Sequence, residues 1–319
     1  MNLLIIGGTG FFGKAILSFI KTSSFNSYNS ITIVGRSASF FEIENEEYKS
    51  LKNINFINAD ITESLDHLAN LDFTHIIHAA ADSTNVLSIG HIDRFDQILA
   101  GTRNVLDFIS MNYKESKFLF ISSGGVYGKM PNNIKSFKED DSYSPDPLNI
   151  NNVYSIAKKT AEHLCVLYSK EFSLNLSIAR CFSFSGQDLP LDVHFAIGNF
   201  IRNAINGEDI IIKGDGSSIR SYLDQDDLAE WLLVILNKDK FNNSFYNIGS
   251  DVQISIIDLA EKVSKLSNKD ISVKVLNKND SNLLRSVYVP SVLKIKNQLG
   301  VSEKICLDKS IIKMLTSSN

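Results

Sequence analysis

Residues 3–13, Leu-Leu-Ile-Ile-Gly-Gly-Thr-Gly-Phe-Phe-Gly, decide the fold of this chain. The apolar run from Leu3 to Ile6 is typical of a buried strand, and it stops at a pair of glycines. From Phe12 to Ile20 the apolar residues return at helical spacing. The stretch therefore predicts a strand, a glycine-rich turn and a helix, in that order.

Three glycines of this turn are predicted to have different structural roles. Gly7 permits the tight turn, Gly10 lets the backbone approach a bound group closely, and Gly13 lets the helix pack on the strand. The N-terminus of the helix then points its N–H groups at an anion. Because the triad follows a strand and opens a helix, it predicts a site for the pyrophosphate of a dinucleotide.

The same alternation continues through the first half of the chain. Further strands are predicted at 31–34, 54–57, 75–78, 118–121 and 176–179, and helices at 98–111 and 154–172. Continuous apolar strands separated by helices are typical of a parallel sheet that is covered on both faces. We therefore expect an α/β fold with six strands in a doubly wound (Rossmann) parallel sheet.

The pattern changes after Gly186. Helices at 193–206, 226–236 and 256–267, with a short strand at 210–212, predict a smaller mixed domain. We expect a dinucleotide-binding domain at 1–186 and a substrate-binding domain at 187–319, with part of 221–250 returning to the first domain.

Composition excludes several classes of protein. A chain of 319 residues that is 44% hydrophobic and 21% charged forms a sizeable core, and its net charge of -4 argues against nucleic acid or an anionic membrane as a partner. Cys165, Cys181 and Cys306 are odd in number and far apart, which argues against disulfides or a metal cluster and predicts buried thiols in a reducing compartment. Without an export signal or a long apolar span, we expect a soluble cytoplasmic protein.

The end of the second strand indicates which dinucleotide is bound. NAD-specific enzymes usually place an acidic residue there, whereas this chain has Arg36 and Ser37. A guanidinium pairs well with a 2′-phosphate, so NADP is favoured over NAD; a solvated Arg36 is the alternative. Asp60 is placed either to accept a hydrogen bond from the adenine amine or to cap a helix.

Three further residues form a candidate catalytic group. Tyr154 and Lys158 are four residues apart in a predicted helix, so they share one face. A phenol has an ordinary pKa of about 10, and a nearby ammonium lowers that pKa toward neutrality. Ser123 ends a strand at the sheet edge where α/β proteins bind ligands, which places its hydroxyl to bind the same substrate oxygen.

In these motifs and in others along its length, the whole chain resembles the extended short-chain dehydrogenase/reductase family, in particular its nucleotide-sugar epimerases, dehydratases and reductases. The matching segments are residues 7–13, 78–81, 101–105, 123–128, 154–158, 180–182, 214–216, 220–223, 226–229 and 246–249. The resemblance implies that Tyr154 is the acid/base, that Lys158 binds the nicotinamide ribose, and that Ser123 binds the sugar C4 oxygen.

The resemblance also implies the remaining site residues. Cofactor contacts are expected from Gly7, Thr9, Gly10, Phe11, Phe12, Gly13, Arg36, Ser37, Asp60, Ile61, Ala79, Ala80, Ala81 and Lys158. Substrate contacts are expected from Ser123, Tyr154, Ser183, Asn199, Lys213, Arg220 and Arg285, with the two arginines binding the diphosphate. Structural roles are expected for His78, Asn104, Tyr127 and the Asp226-Asp227 pair, the last as a helix cap.

Two glycines after Ser123 indicate which of the family's reactions this chain is expected to catalyse. The family's dehydratases carry an Asp-Glu pair directly after the hydroxyl residue, whereas this chain has Gly124 and Gly125 there. The glycines disfavour dehydration and decarboxylation, which leaves reduction of a 4-keto sugar and 4-epimerisation. Arg36, which favours NADP, makes an NADP-linked 4-ketoreductase of a nucleotide-diphosphate 4-keto-6-deoxy sugar in a polysaccharide-precursor pathway the leading expectation. An NAD-dependent nucleotide-sugar 4-epimerase is the alternative, and a non-catalytic dinucleotide-binding sensor is a distant one. The family resemblance also implies a homodimer formed through the helices at 98–111 and 154–172.

Overall fold

A computed structural model describes residues 1–23, 28–51, 53–80, 89–192, 195–238, 244–276 and 286–317. Its strands are β1 Asn2–Ile6, β2 Ser30–Gly35, β3 Ile54–Asn58, β4 His75–His78, β5 Lys117–Ser123, β6 Asn175–Cys181, β7 Phe184–Ser185, β8 Ile210–Ile212, β9 Ile219–Arg220, β10 Leu223–Asp224, β11 Ser244–Ile248, β12 Ile254–Ser255, β13 Val273–Val275 and β14 Val287–Tyr288. Its α-helices are α1 Phe11–Thr22, α2 Ala38–Glu44, α3 His91–Asn112, α4 Val153–Phe172, α5 Ala196–Asn206, α6 Gln225–Asn237, α7 Ile256–Leu266, α8 Leu293–Leu299 and α9 Leu307–Thr316.

The main sheet has the order β11-β6-β5-β4-β1-β2-β3. Its pairs from β3 through β6 are parallel, and Ile5 of β1 stands beside Ile33 on one side and Ile77 on the other. Residues 3–6 are fully buried, as expected of strands covered on both faces. The doubly wound parallel fold predicted from the sequence is confirmed. The order reverses between β1 and β4, which is where such sheets bind ligands.

The prediction of six strands is too low by one. The seventh strand, β11, lies beside β6 at the sheet edge. Its sequence, Ser-Phe-Tyr-Asn-Ile, begins with a polar residue and is interrupted by Asn247, so it lacks the continuous apolar run that marks the buried strands. Helix α3 likewise begins at His91, before the predicted start at Ile98. Its first turn includes the exposed Ile92 and has no side-chain cap, so it carries little amphipathic signal.

The chain divides into two compact units. The first consists of Met1–Gly128, Tyr143–Cys181 and Ala229–Tyr246, and the second of Lys129–Ser142, Phe182–Leu228 and Asn247–Asn319. The first contains the core between the sheet and helices α3 and α4. In the second, helices α5, α7 and α9 pack together beside the strand pairs β13-β8 and β10-β7. The predicted domain boundary and the assignment of each domain to cofactor or substrate stay predictions.

The expectation that all three cysteines are buried is wrong for one of them. Cys165 and Cys181 are buried thiols, but Cys306 is exposed, because it stands at the N-cap position of α9, outside the helix face that packs inward. Within the described ranges, we find no helix with the length and apolar character needed to cross a bilayer.

Candidate functional site

At Gly7, in the turn after β1, there is no room for a side chain. Gly7 has a φ of +82°, and its N–H donates to the Val34 carbonyl at 2.7 Å. A Cβ on Gly7 would lie 2.4 Å from the backbone nitrogen of Ala80, which follows β4. The predicted need for glycine at this turn therefore has two physical sources, the left-handed backbone and the close approach of two strand ends.

The next glycines shape the start of α1. A Cβ on Gly13 would lie 1.9 Å from the Gly8 carbonyl oxygen, so the helix packs directly on the turn. At Gly10, the N-cap, the nearest atom to a Cβ would be the Gly7 oxygen at 3.6 Å. No side chain caps the helix and no acidic residue lies in its first turn. The helix end thus keeps both open space and N–H donors, and it fits the pyrophosphate of a dinucleotide.

The other predicted residues of this turn are placed around it. A Cβ on Gly35, at the end of β2, would lie 3.0 Å from Thr9 Oγ1, so the threonine side chain covers that strand end. The rings of Phe11 and Phe12 meet edge to face at 5.7 Å. Their contacts with a cofactor stay predictions.

The residues expected to select the dinucleotide lie at the end of β2 and after β3. Arg36 and Ser37 are exposed, and the Ser37 side chain does not cap α2, the helix it precedes. Asp60 Oδ1 accepts from Thr62 N–H at 2.9 Å and from Thr62 Oγ1 at 2.8 Å. This backbone bond to Thr62 lowers the pKa of Asp60, and the positive charge of Arg36 contributes less. Asp60 therefore holds a turn, and its helix-cap alternative is wrong.

Helix α3 is fastened to the loop that follows Asp60. Asn104 Nδ2 donates to the Ile61 carbonyl at 2.8 Å, which confirms the predicted helix-to-loop bond. A Cβ on Gly101 would lie 2.4 Å from Ile61 Cδ1, so the isoleucine packs against the helix at this glycine. Ala79 and Ala80 follow β4, and their backbone lies against Gly7. Ala81 lies outside the described residues.

Ser123 ends β5, as predicted. Its Oγ accepts from the Gly125 N–H at 3.1 Å and caps the short 3-10 helix Gly124–Tyr127. A Cβ on Gly125 would lie 2.5 Å from Ser155 Oγ and 3.3 Å from Ser123 Oγ. A side chain at position 125 would therefore require the Ser155 hydroxyl to rotate away.

Helix α4 carries the other two predicted catalytic residues to this strand. Lys158 is 2% exposed, and its Nζ donates to the Ile121 carbonyl at 2.7 Å and lies 4.7 Å from the centre of the Phe120 ring. Burial lowers the pKa of Lys158 to about 8. Tyr154, one turn earlier, is half-buried against the same core. The structure thus brings the lysine to the end of β5, two residues from Ser123.

His78 has the structural role that was expected of it. The ring is fully buried 5.5 Å from the Phe120 ring, and its Nε2 lies 3.4 Å from Thr102 Oγ1. Burial, with Lys158 nearby, lowers the pKa of His78 to about 3. The imidazole is therefore neutral at physiological pH.

A buried ionic network behind Lys158 has no counterpart in the sequence predictions. Glu162 accepts from Ser122 Oγ at 2.6 Å, from Arg180 Nε at 3.0 Å and from Arg180 Nη2 at 2.7 Å. Arg180 Nη1 donates to the hydroxyl of the buried Tyr127 at 2.8 Å. The network ties α4 to β5 and β6. An acidic residue one turn after Lys158, on the same face of the helix, was the available signal for it.

Besides Ser123 and Tyr154, which belong to the first unit, the predicted substrate residues that the structure describes lie in the second unit. Arg220 Nη1 donates to the Ile219 and Ser286 carbonyls at 2.8 and 3.1 Å, and Asn199 Nδ2 donates to the Phe195 carbonyl at 3.0 Å. Lys213 is exposed after β8, and the carbonyl of the half-buried Ser183 accepts from Leu223. Arg285 lies outside the described residues. Their roles toward a substrate stay predictions.

The predicted cap of α6 is shifted by two residues. The helix begins at Gln225, so Asp224 is its cap and accepts from the Asp226 N–H at 2.9 Å. Asp226 instead pairs with Lys313 at 2.7 Å, and Asp227 accepts from the backbone N–H groups of residues 304 and 305, each at 3.0 Å. Both carboxylates still lie in the first turn, where they favour the helix dipole.

Comparison with known proteins agrees with this architecture. The model of the NAD dependent epimerase/dehydratase family matches residues 3–249. The dTDP-D-glucose 4,6-dehydratase of Dictyostelium discoideum is 31% identical over 280 residues, which cover 83% of this chain but only 62% of that protein. Two crystal structures share the fold: the UDP-glucose 4-epimerase of Thermotoga maritima with UDP-glucose (TM-score 0.83, 20% identity, 100% and 98% coverage) and the Bacillus anthracis dTDP-glucose 4,6-dehydratase with NAD (TM-score 0.84, 22% identity, 100% and 96% coverage).

Proposed function

Because the chain belongs to the NAD-dependent epimerase/dehydratase family, we propose that it acts at C4 of a nucleotide-diphosphate sugar and reduces a 4-keto-6-deoxy sugar. The product is the corresponding 4-hydroxy sugar, used in the cytoplasm as a polysaccharide precursor. The dinucleotide, when bound at the glycine turn, supplies the hydride that C4 receives.

The chain's own residues handle the proton. Tyr154 donates the proton that converts the C4 carbonyl oxygen into a hydroxyl. The Lys158 ammonium favours the phenolate that remains, because an opposite charge nearby stabilises the ionised form. Ser123 donates a hydrogen bond to the same oxygen and orients the ketone. Lys158 also binds the ribose next to the nicotinamide.

The observation that carries the proposal is that glycines occupy positions 124 and 125, directly after Ser123. Elimination of water across C5 and C6 needs an additional acid and base, and the family's dehydratases place a carboxylate pair at the positions of Gly124 and Gly125. Here both positions are glycine, which supplies neither an acid nor a base. Reduction needs only the tyrosine, the lysine, the serine and a dinucleotide, which favours it over dehydration.

NADPH is the proposed hydride donor because Arg36, and no acid, stands at the end of β2. Its exposed guanidinium has room to pair with a 2′-phosphate. We expect Arg36→Ala to raise the KM for NADPH at least tenfold and to leave the KM for NADH within about twofold, since a charge-assisted hydrogen bond is worth about 1.5–3 kcal/mol. Equal changes in the two KM values would contradict this assignment.

A 4-epimerase that keeps NAD bound is the second candidate. It needs the same three side chains, and the Thermotoga maritima 4-epimerase shares the fold at a TM-score of 0.83. Incubation with nucleotide sugars and their 4-keto derivatives, with and without NADPH, separates the two reactions. A mass gain of two hydrogens supports the reductase, whereas an isobaric product without added NADPH supports the epimerase.

Tyr154→Phe is the mechanistic control for either reaction. It removes the phenolic proton while keeping the ring, so we expect turnover to fall by at least a thousandfold and dinucleotide affinity to stay within about twofold. Full turnover in this variant would overturn the proposed role of Tyr154.

We also propose a homodimer formed through α3 and α4. Met111 on α3 and Leu167 and Phe172 on α4 are apolar and exposed, at 80%, 49% and 40%. Such a surface suits a partner copy. Light scattering after size exclusion tests the stoichiometry, and Met111→Glu combined with Leu167→Glu is expected to give monomers. A monomeric wild-type protein would contradict the proposal.

A further inference from the structure

Arg94 is a buried cation whose donors are unused. Its side chain lies in the first turn of α3, and the residue is only 6% exposed. Its Nε and Nη2 atoms are buried, and neither has a hydrogen-bond partner among the residues that the structure describes. Guanidinium stays charged at any physiological pH, so the group does not avoid this situation by losing its proton.

The two unpartnered atoms are neighbours on one edge of the guanidinium. This edge carries two parallel N–H donors, and it is the part of arginine that binds the two oxygens of a carboxylate or a phosphate. Burial strengthens such a bond, because water does not compete for the donors. The unused edge therefore matches an oxyanion with two accessible oxygens.

The chain order places Arg94 in the first turn of the helix that follows β4. Helix α3 follows β4, and a helix that follows a parallel strand begins at the carboxyl edge of the sheet. Ala79 and Ala80, at the end of β4, lie against Gly7 of the dinucleotide turn. The acidic residues nearest in sequence, Asp93 and Asp96, are exposed, whereas Arg94 points inward.

We propose that Arg94 is an anion-binding residue, and that its Nε and Nη2 edge receives a carboxylate or phosphate group of the ligand at this sheet edge. The inference rests on the proposed function for the location of that ligand, but not for the reaction. The group is the diphosphate of the nucleotide sugar or a phosphate of the dinucleotide; a sugar carboxylate is a third source, which the 6-deoxy sugar proposed above does not carry.

Arg94→Met tests the proposal through binding and stability together. Calorimetry would compare the affinities of wild-type and variant protein for UDP, UDP-glucose, UDP-glucuronate and NADPH. We expect a loss of about tenfold to hundredfold for the ligand that supplies the anion, as for the loss of charged hydrogen bonds. We also expect a higher urea midpoint for the free variant, because methionine removes an unpaired buried charge.

The pattern of loss identifies the anion. A loss for UDP-glucuronate alone indicates a sugar carboxylate, a loss for all three uridine ligands indicates the diphosphate, and a loss for NADPH alone indicates a dinucleotide phosphate. Arg94→Lys keeps the charge but not the paired donors, so it is expected to lose affinity as well. Arg103→Met, at an exposed arginine on the same helix, is the matched control and is expected to bind every ligand as the wild type does.

Two results would overturn the proposal. One is an Arg94→Met protein that binds all four ligands with wild-type affinity, and the other is a urea midpoint that falls, which would show that the guanidinium is paired in solution. Ligand binding that depends on Arg94 without any turnover would contradict the proposed reaction alone.

Discussion

Replacing Lys158 by methionine removes a charge that the fold holds out of water. The side chain is 2% exposed, and burial lowers its pKa from 10.5 to about 8. One pKa unit corresponds to about 1.4 kcal/mol, so keeping Lys158 charged costs the folded state about 3 kcal/mol below pH 8. Methionine keeps the length of the stem without the charge.

The sign of the pH dependence follows from proton binding. Above pH 8 the folded protein releases the Lys158 proton while the unfolded chain keeps it up to about 10.5. The unfolded state then binds more protons, so wild-type stability rises with pH across this window. Relative to Lys158→Met, the wild-type free energy of unfolding is expected to gain about 2 kcal/mol between pH 7 and pH 9.5, and the remainder by about pH 10.5.

Urea unfolding of both proteins at several pH values measures this gap, which is the difference between the free energies of unfolding of the wild type and Lys158→Met. Because Lys158 is also proposed to lower the pKa of Tyr154, both proteins carry Tyr154→Phe, so that the difference between their unfolding free energies isolates Lys158. Lys170→Met, at an exposed lysine on the same helix, is the control and is expected to show a constant gap to the wild type. A gap for Lys158→Met that changes by less than about 0.5 kcal/mol between pH 7 and pH 9.5 would refute the reasoning.

Three further outcomes are expected. Glu162→Gln leaves the Arg180 charge unpaired and is expected to lower the free energy of unfolding by about 3–5 kcal/mol, with Arg180→Met restoring part of it in the double variant; urea unfolding checks this, and additive losses would contradict it. Gly13→Ala is expected to disrupt the turn, whereas Gly10→Ala should fold but bind dinucleotide at least tenfold more weakly; circular dichroism and calorimetry separate the two, and equal binding by Gly10→Ala and wild type would argue against a pyrophosphate at this turn. Cys306 should react with a thiol reagent in the native protein and the other two cysteines only after unfolding, as counted by mass spectrometry; native labelling of three thiols would contradict the burial described above.

The parts of the fold that the sequence predicted well are those set by local rules. The run from Leu3 to Ile6 and the glycines after it fix a strand, a turn and a helix almost without reference to distant residues. The sequence did not predict β11 as a strand of the sheet. Its place beside β6 depends on a partner far away in the chain, and nothing in its own five residues specifies that partner.

The site divides in the same way. The helical spacing of Tyr154 and Lys158 and the place of Ser123 at a strand end were readable from the sequence, whereas the Glu162–Arg180 pair joins residues on different elements. The unused donors of Arg94 were equally invisible, since burial and hydrogen bonding are properties of packing. Asp60 was ambiguous because a helix cap and a short turn use the same side-chain oxygen.

The crowding at Gly125 also constrains how this sequence can evolve. A carboxylate introduced there would require the Ser155 hydroxyl to rotate away, and elimination would need a second carboxylate at Gly124. Neither carboxylate alone supplies both the acid and the base, so a single substitution is expected to bring no elimination activity. Under the proposed function, neighbouring activities in sequence space are therefore separated by a pair of substitutions, and a lineage that carries these glycines does not cross to elimination by single steps.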